Sequence, residues 1–97
     1  MNMQAMMQQA RKLQNELEKT TKEINEKSFT YENDNILVEA LGTNKITKIE
    51  IKNEDVLADG EMLADIVLVA VNNVLESIKK EKDNKLGKYT GGLGGLF

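Results

Sequence analysis

"SFTYENDNILVEALGTNKITKIEIK", Ser28 to Lys52, decides the fold. Here the apolar residues recur at every second position, whereas on either side they recur at every third or fourth. Phe29 and Tyr31 alternate with Thr30 and Glu32, the mark of a strand with one covered face. Asn33-Asp34-Asn35 supplies a turn. Ile36–Leu41 is a second strand, dense in apolar residues, and Gly42-Thr43-Asn44 a second turn. In the third strand Thr47, Ile49 and Ile51 are expected on one face, with Lys48, Glu50 and Lys52 on the other. Connections this short cannot carry a crossover, so 28–52 is expected to be a three-stranded antiparallel meander.

Upstream, residues 1–27 form one expected helix. Met3, Met6, Ala10, Leu13, Leu17, Thr20 and Ile24 fall in steps of three and four, the spacing of a coiled-coil seam. About 25 helical residues run to roughly 37 Å, while a compact domain of this length is only about 30 Å across. The helix must therefore protrude or lie along a second helix. An apolar seam that outruns its own domain points to a partner chain, and Met3, Met6, Ala10, Leu13 and Leu17 are its expected dimer contacts. Downstream, Asn53 to Gly60 reads as a loop with Asp59 as N-cap of a helix over 60–86. Leu63, Ile66, Val67, Ala70, Val71, Val74, Leu75 and Ile78 give that helix a wide apolar stripe suited to a sheet face. Gly87 is the expected helix stop, and 87–97 a flexible glycine-rich tail. The class is α+β, in a single domain with no internal repeat.

Composition narrows the chemistry. The 97 residues hold no cysteine and no histidine, which removes disulfides, thiol nucleophiles, the commonest general base and the usual zinc sites. No run of about 20 apolar residues spans a membrane, so a cytoplasmic chain is expected. Glu54, Asp55 and Asp59 could hold a hard cation, but they lack the spacing and central glycine of a calcium loop; a solvated loop with a helix cap is the simpler account. Asn72 and Asn73 suit the edge of the apolar stripe better than a reactive centre. "GGLGG" (91–95) follows a helix and has no helix after it, so it cannot aim its N–H groups at a phosphate. Neither an enzyme, nor a cofactor, nor a small-molecule substrate is expected.

The charges are unevenly placed. The chain total is −3, yet residues 28–60 hold seven acids against three lysines, a net of −4, so the helices and tail together carry +1. Arg11, Lys12, Lys19 and Lys22 lie within about 100° of arc opposite the apolar seam of the first helix. Lys12/Glu16, Lys19/Glu23 and Glu18/Lys22 are spaced to pair with one another as a solvated surface. Residues 1–15, however, contain Arg11 and Lys12, four glutamines and no acid, beside the positive end of the helix dipole. Such groups contact phosphates. Lys79, Lys80, Lys82, Lys85 and Lys88, set against Glu81 and Asp83, form a second cluster near the end of the second helix, where the helix dipole alone would favour cations.

"MNMQAMMQQARKLQNELEK", the stretch from "ILVEALG" through "EMLADIVLVAVNNV", and the closing "GGLGGLF" together resemble the YbaB/EbfC nucleoid-associated proteins of bacteria. The likeness covers nearly the whole chain. It implies a small homodimer of helix–three strands–helix subunits whose helices project like the arms of tweezers. It also implies weakly sequence-selective binding to double-stranded DNA in the nucleoid, serving DNA compaction or transcription modulation. Members often carry proline after the third strand and in the tail, where this chain has Asn53 and Gly94. On charge, Arg11, Lys12, Lys19, Lys22, Lys79, Lys80 and Lys82 are the expected DNA contacts. The rival is a coiled-coil adaptor whose first helix binds another protein.

Overall fold

Asn2 starts the first helix: its side-chain oxygen accepts the Ala5 N–H at 2.7 Å. In the computed structural model, which describes residues 2–90, α1 spans Met3–Glu26 and ends where Lys27 turns extended. Three strands come next, β1 Ser28–Glu32, β2 Ile36–Leu41 and β3 Ile46–Ile51, paired antiparallel in the order β1-β2-β3. The Asn33 side chain closes the first turn by accepting the N–H groups of Asn35 and Ile36. The second contains Asn44 at φ 70°, a left-handed conformation that asparagine tolerates. The expected meander is the observed one.

A 31-residue helix, α2 Gly60–Thr90, lies across the sheet. The Asp59 carboxylate caps it, accepting the N–H groups of Glu61 and Met62, each at 3.1 Å. Ile36, Val38 and Ala40 of β2 meet Ala70, Val74 and Ile78 of α2, and all six are fully buried. Burying each Val or Ile side chain contributes about 1.5–3 kcal/mol, so this seam holds the helix to the sheet. Phe29 and Tyr31 of β1 stand opposite Ala40 and Val38 and complete the packed side.

Four details differ from the sequence expectations. The register slips between Glu39 and Ala40, so Ala40 faces Ile46 and Glu39 faces Lys48. Thr47 is therefore the extra residue of a bulge and is exposed, and Ile46 replaces it on the face shared with Ile49 and Ile51. The loop before α2 is a 3₁₀ helix, Glu54–Ala58, with Val56 buried beneath it. Gly87 does not stop α2, which runs on to Thr90 because Leu86 is buried and Tyr89 half-buried. Packing on both sides of Gly87 outweighs a propensity cost of about 1 kcal/mol. Lastly, none of the three pairs expected along α1 is closed among the described residues. The rest of the expected tail, 91–97, lies outside the described residues.

The molecule measures 69 × 22 × 16 Å. Its length comes from α2 and from the projecting half of α1, whose last turns pack on the end of α2 and bury Ile24, while every residue from Met3 to Glu16 is exposed. Of the two expected placements of α1, protruding or lying along a second helix, each half realises one. Gly42 sets the junction: a Cβ there would fall 1.8 Å from the Ile24 carbonyl oxygen, so only glycine lets the α1 backbone cross so close. The Gly42 N–H donates to the Lys27 carbonyl at 3.1 Å.

Candidate nucleic-acid interface

The expected contact residues lie on two helical segments. Arg11 and Lys12 stand on the freely projecting part of α1, Lys19 and Lys22 on the part beside α2, and Lys79, Lys80 and Lys82 on the last third of α2. All are exposed except Lys82, which is half-buried. Thirteen cations divide sharply in this structure. Lys27 and Lys85 both engage Glu81, Lys52 reaches Glu32 at 2.7 Å, and Lys48 reaches Glu50 at 3.5 Å. Lys88 sits over the ring of Tyr89. Among the described residues, none of the seven expected contacts has an ion-pair partner. Of the cations without an ion-pair partner among the described residues, all but Lys45, in the β2–β3 turn, are on the helices.

Glu81 joins the two helices. The ammonium of Lys27, hydrogen-bonded to its carboxylate across 54 positions of sequence, holds the carboxyl below the usual glutamate range; partial burial opposes the shift and Lys85 adds to it. The bridge sits where α1 leaves α2, so it fixes the base of the arm.

An open groove along α2 is lined by Asn72, Leu75, Glu76, Lys79 and Lys82, with Asn44 of the β2–β3 turn on its other wall. It brings Lys79 and Lys82 to the β2–β3 turn, where unpaired Lys45 comes directly after Asn44. Sequence reasoning missed Lys45 because it read 42–44 only as a turn; a basic residue flanking a left-handed asparagine was the available signal. Asn73, also singled out, donates to the Val69 carbonyl of the preceding turn at 2.8 Å. Glu54, Asp55 and Asp59 do not converge: no acidic cluster among the described residues could hold a metal. No helix among them is long and apolar enough to cross a membrane.

Two apolar surfaces remain open. Along α1, Met3 is 77 % exposed, and Met6, Ala10 and Leu13 are exposed too, while Leu17 is half-buried. The second is the core side of β3. There α2 covers β1 and β2 but not β3, so Ile49, opposite buried Val38, is 47 % exposed. The α2 flank that faces the β2–β3 turn carries Leu75 and, one heptad earlier, exposed Leu68. The sequence stripe did not include Leu68.

The sequence is similar to proteins of known family along nearly its whole length. A model of the YbaB/EbfC DNA-binding family matches residues 1–93. A nucleoid-associated protein of Enterococcus faecalis is 46 % identical, across 98 % of this chain and 94 % of its own. One from Ligilactobacillus salivarius is 39 % identical across 99 % and 95 %, and one from Lactococcus lactis 41 % across 96 % and 97 %. A match that runs from the arm through the sheet to the end of α2 leaves no element unaccounted for: the chain belongs to the YbaB/EbfC DNA-binding family, a family of DNA-binding proteins and not of enzymes.

Proposed function

We propose that this protein is a homodimeric nucleoid-associated protein that grips the phosphate backbone of double-stranded DNA through its helices and so compacts it or modulates transcription. The observation that carries the reading is the division of the cations: among the described residues Arg11, Lys12, Lys19, Lys22, Lys79, Lys80 and Lys82 are without ion-pair partners on helices, while Lys27, Lys48 and Lys52 of the junction and sheet are paired, Lys45 of the β2–β3 turn excepted. Contacts from these cations to phosphates would carry no sequence information, so binding is expected to be weakly selective.

Dimerisation doubles each cluster. The open strip formed by Ile49, Leu68 and Leu75 suits a second copy, because it offers both an uncovered sheet edge and an unpartnered helix flank. Two copies of the strip set about a two-fold axis would each cover the other's and continue the protein's own core. The α1 seam of Met3, Met6, Ala10, Leu13 and Leu17 is the other dimer surface on offer. Substitution separates the two: Leu68→Glu disrupts the strip and Leu13→Glu the seam.

A gel-shift salt titration on duplex DNA tests the binding. About six phosphate contacts per dimer would weaken affinity by roughly 10³-fold between 50 and 200 mM salt. Absence of any shift at micromolar dimer in dilute buffer would overturn the reading and favour a protein-binding adaptor.

A further inference from the structure

We propose that Met3, Met6 and Met7, on the first two turns of α1, form a three-thioether site for monovalent copper. They stand at i, i+3 and i+4 of one helix and line a single hollow together with Ala10. The Asn2 cap holds Met3 in the helical turn, since its side-chain oxygen accepts the Ala5 N–H at 2.7 Å. At about 100° per residue, Met6 falls about 60° to one side of Met3 and Met7 about 40° to the other. Residues at these spacings are about 5–6 Å apart at Cβ. An ion bonded to sulfur at about 2.3 Å holds three sulfurs about 4 Å apart, and unbranched methionine closes that difference by rotation about its side-chain bonds. Ala10 continues the same face and is too short to fill the hollow.

The donor set selects the ion. Thioethers are soft ligands and suit Cu(I). The chain has no cysteine or histidine, and no group of acidic residues among those described could hold a metal, so nothing competes for it there. Residues 2–15 also lack a carboxylate, and hard cations such as Mg²⁺ and Ca²⁺ require oxygen ligands. The positive end of the α1 dipole and Arg11, four residues after Met7, repel cations in general. Binding therefore comes from sulfur bonding and not from charge.

Access needs no opening of the fold, because Met3, Met6 and Met7 are 77 %, 56 % and 51 % exposed. A bound ion joins the first two turns of α1 and places a charge on the methionine end of the apolar seam. It thus competes with an apolar partner there, and it requires neither DNA nor the dimer.

The test is a titration of Ag(I), a redox-inert counterpart of Cu(I), into the full chain carrying ¹³C-methyl methionine in chloride-free buffer. Each observed methyl group is bonded to a candidate ligand atom. The Met3, Met6 and Met7 signals should shift together and saturate at one ion per chain. Met62, the methionine of α2, is the internal control: it is 49 % exposed, close to Met7, yet should not move over the same range. Met3→Leu, Met6→Leu and Met7→Leu keep the apolar face and the helix propensity, and each should weaken binding by at least about tenfold. Met62→Leu should not change it. Cu(I), kept reduced by ascorbate without oxygen, should shift the same three signals, and Zn(II) should shift none. A Met62 shift in step with the three would overturn the site, as would leucine variants that bind unchanged. Saturation at one ion per two chains would place the ion between copies instead, and a response to Ag(I) without one to Cu(I) would exclude copper.

Discussion

Gly42→Ala should loosen the arm at its root. The added Cβ would lie 1.8 Å from the Ile24 carbonyl oxygen, 2.5 Å from its carbon and 3.0 Å from the Asn25 Cα, all backbone atoms that no rotamer change can move. Restoring an ordinary contact of 3.4 Å requires the last turn of α1 to retreat by about 1.6 Å. That retreat breaks the hydrogen bond from Gly42 N–H to the Lys27 carbonyl, a loss of about 1 kcal/mol. It also uncovers part of Ile24, whose full burial is worth about 1.5–3 kcal/mol. Alanine restricts the unfolded chain and recovers about 0.4–1 kcal/mol. The net is a destabilisation of about 1–2 kcal/mol, or a fall of roughly 4–16 °C in Tm at fixed protein concentration. Thermal unfolding monitored by circular dichroism reads it. Gly87→Ala is the companion: a Cβ there meets nothing within 4 Å, and alanine in a helix interior should stabilise by about 0.5–1 kcal/mol. If the two variants melt within a few degrees of wild type, or shift in the same direction, the crossing at Gly42 does not hold the arm.

The same structure sets three further outcomes. Replacing Arg11 and Lys12 by alanine removes four cations per dimer, so the slope of log affinity against log salt should shrink by about 3.6 if both arms engage one duplex and about 1.8 if one does. An unchanged slope would exclude these residues from the interface. Leu68→Glu places a charge on the open strip beside β3 without touching the buried core; sedimentation equilibrium should report a monomer. If Leu13→Glu yields the monomer and Leu68→Glu does not, the dimer forms on the α1 seam instead. Glu81→Gln should lower stability at neutral pH. Because the folded-state pKa of Glu81 is depressed, its contribution is complete above the ordinary glutamate value of about 4.3 and is lost as pH falls through and below it. The gap between wild type and Glu81→Gln should therefore close on acidification; a constant gap would mean that the Lys27 bridge contributes nothing.

The order of elements was legible because each change of hydrophobic period coincides with a real boundary: at Lys27 where α1 ends, and at Asp59 where α2 begins. What escaped depends on contacts distant in sequence. Nothing local distinguishes Thr47 from Ile46 as the residue lifted out of β3; the bulge is defined by pairing with Glu39 and Ala40. Gly87 has the local character of a helix stop, and it takes the burial of Leu86 near the end of α1 to carry the helix through. Gly42 was legible as a turn but not as a crossing point, since Ile24 comes to it only in the folded chain. The site shows the same division. Its residue types could be chosen on charge, but which lysines are spent on the fold depended on partners such as Glu81, 54 positions from Lys27.

Net charge is a poor guide to what DNA meets here. A chain of −3 should be repelled as a whole, yet the repulsion has a range of about 8 Å at physiological salt. The stretch 28–60, with its net of −4, includes the whole sheet, and the molecule is 69 Å long. Arg11 and Lys12 lie nine and eight residues beyond Thr20, where α1 is half-covered beside α2, which puts them about 12–14 Å further along the helix axis. At that distance from the junction the sheet's acids are largely screened, and the local field is set by Arg11, Lys12 and, one turn on, Glu16, with no acid nearer the N-terminus of α1. On the proposed reading the acidic sheet therefore does not cancel the arms; it would disfavour docking of DNA on the sheet and leave the helices as the approachable side. Projection of α1 beyond its own domain is what separates the two charges, so under the proposed function the length of the helix is itself part of how DNA would be held.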